Sequence, residues 1–168
     1  MKTLEQALAR YDGKATDTLA EICTAFGDRR TFLSELVFLA THQEATVADG
    51  ATWLIKVQLD DGARLTSAET EALLGHLSAI TSWQAQLHIC QSVRHFDVPA
   101  HLANNCADWF DALLTSDRPF LRAWSMDALQ QLAQQNTELA ERAAAALRDA
   151  EQDPAASVRA RARKWKRA

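Results

Sequence analysis

Residues 102–129, LANNCADWFDALLTSDRPFLRAWSMDAL, hold two apolar stripes separated by a short polar break. In the first, Leu102, Cys106, Trp109, Phe110 and Leu113 are spaced i, i+4, i+7, i+8, i+11, which is one face of an α-helix. In the second, Leu121, Ser125 and Ala128 follow i, i+4, i+7. Pro119 stands between them, at a first helical position where the missing N–H costs nothing. The stretch reads as a helical hairpin.

The hairpin repeats. A shift of 37 residues lays Leu102, Cys106, Trp109, Phe110 and Leu113 on Leu139, Ala143, Ala146, Leu147 and Ala150. The same step joins Leu36, Leu73, Phe110 and Leu147 in one column, and Leu65, Leu102 and Leu139 in another. For the second helix, Val47, Ala51 and Leu54 map onto Leu121, Ser125 and Ala128, then onto Val158, Ala162 and Trp165. One copy is displaced by a residue, with Ala85, Ile89 and Ser92 in that row; a turn one residue longer at ITSW (80–83) accounts for it. Helices are expected near 3–11, 15–26, 29–42, 46–59, 67–80, 83–96, 99–115, 118–135, 137–151 and 155–166. Thr66 with Glu69 has capping-box spacing, Pro154 and Pro99 mark further starts, and DDG at 60–62 separates two helices.

Composition agrees with an all-α chain. Of 168 residues, 48% are hydrophobic and 24% charged, and the 5 Gly and 3 Pro are too few for a loop-rich or β-rich fold. Two-helix units of this length cannot bury their stripes alone and stack into an α-solenoid. The expectation is a right-handed α-solenoid of about four two-helix repeats over 28–168, with a cap formed by residues 1–27, in a single compact domain.

DPAASVRARA (153–162), with Asp153, Pro154, Val158 and Arg159, resembles the second-helix signature of HEAT repeats. DRPFLRAWSMDAL (117–129) carries it again with Asp117, Pro119, Leu121 and Arg122, while Ala48 and Ala85 stand in the arginine column of the earlier copies. The resemblance implies a scaffold or partner-binding module of the armadillo-type superhelix class. It also implies structural arginines, with Arg159 bonded to Asp153 and Arg122 to Asp117.

The last ten residues hold six Arg or Lys and no acid, whereas the other 158 carry 12 basic against 22 acidic side chains, a net of −10. On a helix, Val158, Ala162 and Trp165 form an apolar stripe and the cations fill the remaining circumference. That is the pattern of a solvated terminal helix, whose C-terminal cations complement the dipole. A nucleic-acid surface would extend across a face, and the acidic body opposes it.

Chemistry finds little footing. His42, His76, His88, His95 and His101 form no metal-ligand spacing, and His76 shares the core column of Leu113 and Ala150. Cys23, Cys90 and Cys106 lie in apolar patterns and read as reduced core thiols. No catalytic residue, cofactor site or metal site is assigned. The N-terminal MKTLEQALARYDG is not a signal peptide and no segment reaches the length of a membrane span, so the cytoplasm is the expected compartment. Trp109 and Trp165 fall on core stripes, and Trp124 flanks its helix's apolar face.

In solenoids the second helices line the concave surface. Lys56, Gln91, Arg94, Asp127, Gln130, Arg161 and Lys164 face away from the core there, with Trp124 beside them. This mixed, amide-rich row suits a protein partner. The competing reading is a nucleic-acid-binding HEAT-like protein related to bacterial alkylpurine DNA glycosylases, for which Asp127, Arg94 and Trp124 supply an acid, a base and an aromatic group.

Overall fold

Local chemistry sets where the helices begin. In the computed structural model, which describes residues 3–167, Thr3 caps α1 (Leu4–Leu8) and Gln6 closes the capping box. Then come α2 (Thr16–Phe26), α3 (Phe32–Leu39) and α4 (Ala45–Asp60), the last ending before Gly62, whose φ of +99° suits a residue without a Cβ. Thr66 and Glu69 form the expected capping box on α5 (Ser67–Leu74). After α6 (Trp83–Ser92) and α7 (Ala103–Leu113), Pro119 occupies the first turn of α8 (Pro119–Gln135). The series closes with α9 (Ala140–Glu151) and α10 (Ala156–Arg167). No strand occurs among the described residues.

All ten expected helices are present, several of them shorter than expected. Leu77–Ala79, Val93–His95, Ala100–Leu102 and Thr137–Leu139 tighten into 3-10 turns at helix ends. One consequence corrects the sequence reading. Because α5 stops at Leu74, His76 leaves the core column and is exposed, and Leu77 is buried just after it. The His76 ring is 2.8 Å from the Ala72 carbonyl.

The starts of α4, α8 and α10, at Ala45, Pro119 and Ala156, are 74 and then 37 residues apart. Helix α6 begins at Trp83, 38 residues after Ala45, which is the one-residue lengthening expected at ITSW. The turns entering α4, α8 and α10 share one contact. His42 Nδ1 accepts the Glu44 N–H at 3.0 Å, Ser116 Oγ accepts the Arg118 N–H at 3.2 Å, and Asp153 Oδ1 accepts the Ala155 N–H at 2.8 Å. Three different side chains do one job, satisfying an orphan donor at a helix start.

The chain divides into two compact units, Met1–Ile89 and Cys90–Ala168, with the boundary inside α6. In the first, α3 packs against α4 and α5, while α1 and α2 lie against each other and against α4. The approach at Gly50 is close: a Cβ there would come within 2.8 Å of Leu8 Cδ2 and 3.2 Å of Leu19 Cδ2, both on fully buried side chains. A side chain at position 50 would have to push both leucine tips aside. In the second unit α8 packs against α7, α9 and α10. Leu36 and Leu73 of the first unit, and Phe110 of the second, have at most 1% of their surface exposed.

A polar knot is buried in the first unit. Thr52, wholly buried on α4, donates its hydroxyl to the Ala48 carbonyl at 2.8 Å, and its oxygen lies 3.0 Å from His88 Nδ1. Asp49 Oδ1 accepts the Ala85 N–H at 3.1 Å, and burial raises the Asp49 carboxyl above its ordinary range. Burial, with Lys56 nearby, lowers His88 to about 4. The folded state therefore binds a proton at His88 less readily than the unfolded chain does near 6.5. Its contribution is complete above pH 6.5, declines as pH falls toward 4, and is gone below that. The loss should be on the order of 3 kcal/mol in urea titrations between pH 7 and pH 4 and absent from a His88→Gln variant. Parallel pH profiles for the two proteins would refute the assignment.

Candidate functional site

The residues expected to meet a partner concentrate on α8 and α10 of the second unit, and most are already engaged there. Asp127, expected on an open face, is only 7% exposed. Helix α10 covers it: the Trp165 indole N–H donates to Asp127 Oδ1 at 2.8 Å, and Arg161 Nη1 lies 3.5 Å from the same oxygen. A carboxylate can be buried when a donor and a cation both meet it, which a helical wheel drawn for α8 alone does not register. Arg161 in turn lies flat on Trp124, its guanidinium carbon 3.7 Å from the ring centroid. Gln130 donates to the Ala143 carbonyl at 2.7 Å and so joins α8 to α9.

Four of the eight residues, Trp124, Asp127, Gln130 and Arg161, thus form a polar and aromatic staple across α8, α9 and α10. The remaining members differ. Lys164 is exposed on α10, and Arg94 is exposed in the 3-10 turn after α6, its Nε donating to His95 Nε2 at 3.1 Å. Gln91 is half-buried. Lys56, in the first unit, pairs with Asp60 at 2.6 Å.

Arg122 departs from the pairing that the resemblance implied. Arg122 meets Asp153, not Asp117: Nε and Nη2 donate to its two carboxylate oxygens at 2.8 and 2.9 Å. Its Nη1 donates to the Ser116 carbonyl at 2.7 Å, and Arg159 Nη1 donates to the Asp153 carbonyl at 2.6 Å. Each arginine therefore closes the turn six residues before it, and Arg122 also clamps the next turn. The pairing geometry is bidentate, and it holds the Asp153 carboxyl below its usual range. Arg142 joins Asp108, at 2.6 Å, and Asp111. These three residues link α7 to α9.

Thiol chemistry is suppressed by burial. Cys106 is pushed up to about 11, and Cys90, fully enclosed and close to the Asp127 charge, is raised further. Such thiols stay protonated at neutral pH and are poor nucleophiles. No group of His, Cys, Asp and Glu suited to a metal ion occurs among the described residues, and no helix among them is long and apolar enough to cross a membrane.

A different surface feature lies in the first unit. Phe38 on α3 is 77% exposed, the most open of the large apolar side chains among the described residues. The signal was present in the sequence: Phe38 falls two positions after Leu36 of the core column, about 200° around the helix. The run FLSELVFLA hid it, because five consecutive apolar residues, Leu36 to Ala40, leave no polar residue to mark the outer face there.

No protein-family model, curated protein or solved structure matches the chain.

Replacing Trp165 with Phe keeps an aromatic side chain but removes the indole N–H that donates to Asp127. The expected cost is about 1–3 kcal/mol in denaturant unfolding, the penalty for depriving a buried charge of a hydrogen bond. An unchanged midpoint would mean that the contact adds nothing to the staple.

Proposed function

We propose that the chain is a non-enzymatic HEAT-like module that binds a protein partner. In this reading it is a right-handed α-solenoid of about four two-helix repeats of ~37 residues behind an N-terminal helical cap. The observation that carries it is the recurrence of one turn chemistry at His42, Ser116 and Asp153, with side chains accepting the N–H two residues on. The spacings of 74 and 37 residues between them are two repeat lengths and one. HEAT-like proteins are mostly scaffolds, and the groups with the strongest ionisation shifts here, His88, Cys90 and Cys106, sit in the core for packing reasons. Reduced thiols favour the cytoplasm as its compartment.

The second reading is a nucleic-acid-binding protein of the alkylpurine glycosylase type. In its favour, Arg163, Lys164 and Arg167 are exposed along α10, and Asp127 lies near both Trp124 and Trp165 through Arg161 and the indole N–H. Against it, Asp127 is closed off by those same contacts.

Gel shifts with duplex DNA at low and moderate salt separate the two. The purified chain is expected to leave DNA unshifted, while crosslinking in an extract of the native host recovers a stoichiometric protein partner. A salt-sensitive shift that disappears in an Arg163→Glu, Lys164→Glu double variant would overturn the scaffold reading.

A further inference from the structure

The ridge of α3 carries Phe38 between two open grooves. One, of about 380 Å³, runs between α1 and α3 over Leu4 and Leu39; the other, of about 480 Å³, runs between α3 and α5 over Val37, Ala68 and Ala72. Phe38 lines both. A phenylalanine 77% exposed on a rigid helix, with an apolar floor on each side, is a partner-binding anchor in form.

The rim identifies the occupant. Glu5 and Glu35 line the first groove and Glu69 the second, and no Lys or Arg is among the described residues lining either. Glu35 accepts the Thr31 hydroxyl, and Glu69 accepts the Thr66 N–H and hydroxyl. These donors carry no charge of their own, and Glu5 faces His42 at 3.4 Å. The unit they belong to, residues 1–89, carries 12 acidic against 7 basic side chains. A second copy meeting this face through its own would oppose like charges, and an anionic lipid surface or a nucleic acid would be repelled.

We propose that the Phe38 face of α3 docks a basic amphipathic segment of a partner protein, whose apolar side chains straddle Phe38 while Lys or Arg residues meet Glu5, Glu35 and Glu69. The inference rests on the partner-binding reading above and places the contact on a first helix of the repeat instead of the row of second helices. Apolar anchors spaced i, i+4 on one helix face match grooves between helices, and the carboxylates at the rim set the sign of the flanking charge.

The test uses the full chain and its Phe38→Asp variant as parallel baits for a displayed library of random peptides about four helical turns long. Thermal unfolding of the two proteins should coincide, because the Phe38 side chain is in solvent. Peptides recovered by the wild-type chain alone should be rich in Lys and Arg, with apolar residues at i, i+4. A synthetic member should bind the variant roughly tenfold or more weakly and lose affinity as salt rises. Pools that do not differ between baits, or a Phe38-dependent pool that is acidic, would overturn the inference. So would a dimer in sedimentation that Phe38→Asp dissolves, since the occupant would then be a second copy. Each of these failures leaves the broader reading intact when extract crosslinks map to another face, whereas a specific DNA shift removes that reading by itself.

Discussion

The second unit depends on how Arg122 divides its hydrogen bonds. Three of its nitrogens are used: two grip the Asp153 carboxylate and one holds the Ser116 carbonyl. Ser116 and Asp153 stand in the turns that precede α8 and α10, so one guanidinium ties both turns together. Apolar burial is far larger in sum, but it is non-directional and tolerates sliding. A planar fork with two carboxylate bonds does not slide. Beyond these turns, Leu121 and Ala128 on α8, and Val158 and Ala162 on α10, are all buried.

Much of this was legible because helical periodicity is a local signal. Ten helices, the capping box at Thr66, the proline in the first turn of α8 and the one-residue insertion before α6 all follow from spacing along the chain. What spacing does not record is a neighbouring helix. Asp127 looked outward on α8 alone and was buried only because Trp165 and Arg161 cover it from α10. His76 looked inward because its column was extended through a helix that in fact stops at Leu74. The motif likewise suggested Asp117 as the turn acid, yet the 37-residue step from Asp153 leads to Ser116. A consensus matched by residue type had placed the turn one position late.

The buried polar groups share a logic that bears on reactivity. His88, Thr52 and Asp49 in the first unit, and Asp127 and Ser125 in the second, are each tied to a main-chain or side-chain partner within their own unit. A satisfied buried network specifies one packing and resists alternatives. The same enclosure that perturbs ionisation at His88 and Cys90 removes these groups from solvent. Perturbed ionisation in this chain is therefore a record of packing and gives no support to a catalytic reading by itself.

Charge counted along a chain differs from charge presented to a partner. The six cations of the last ten residues suggest a strong basic patch, but Arg159 is bound to carbonyls, Arg161 to Asp127 and Trp124, and Lys166 to Glu151 at 2.6 Å. That leaves Arg163, Lys164 and Arg167 facing solvent, about half the nominal charge. Residues 90–168 as a whole hold 11 basic and 10 acidic side chains, nearly balanced. In the first unit the opposite holds. Of its acids, Glu69 closes the capping box of α5, Glu35 on α3 accepts the Thr31 hydroxyl, and Glu5 on α1 faces His42. At Glu69 one carboxylate supplies both a helix cap and surface charge, and the exposed Phe38 of α3 stands among Glu5, Glu35 and Glu69.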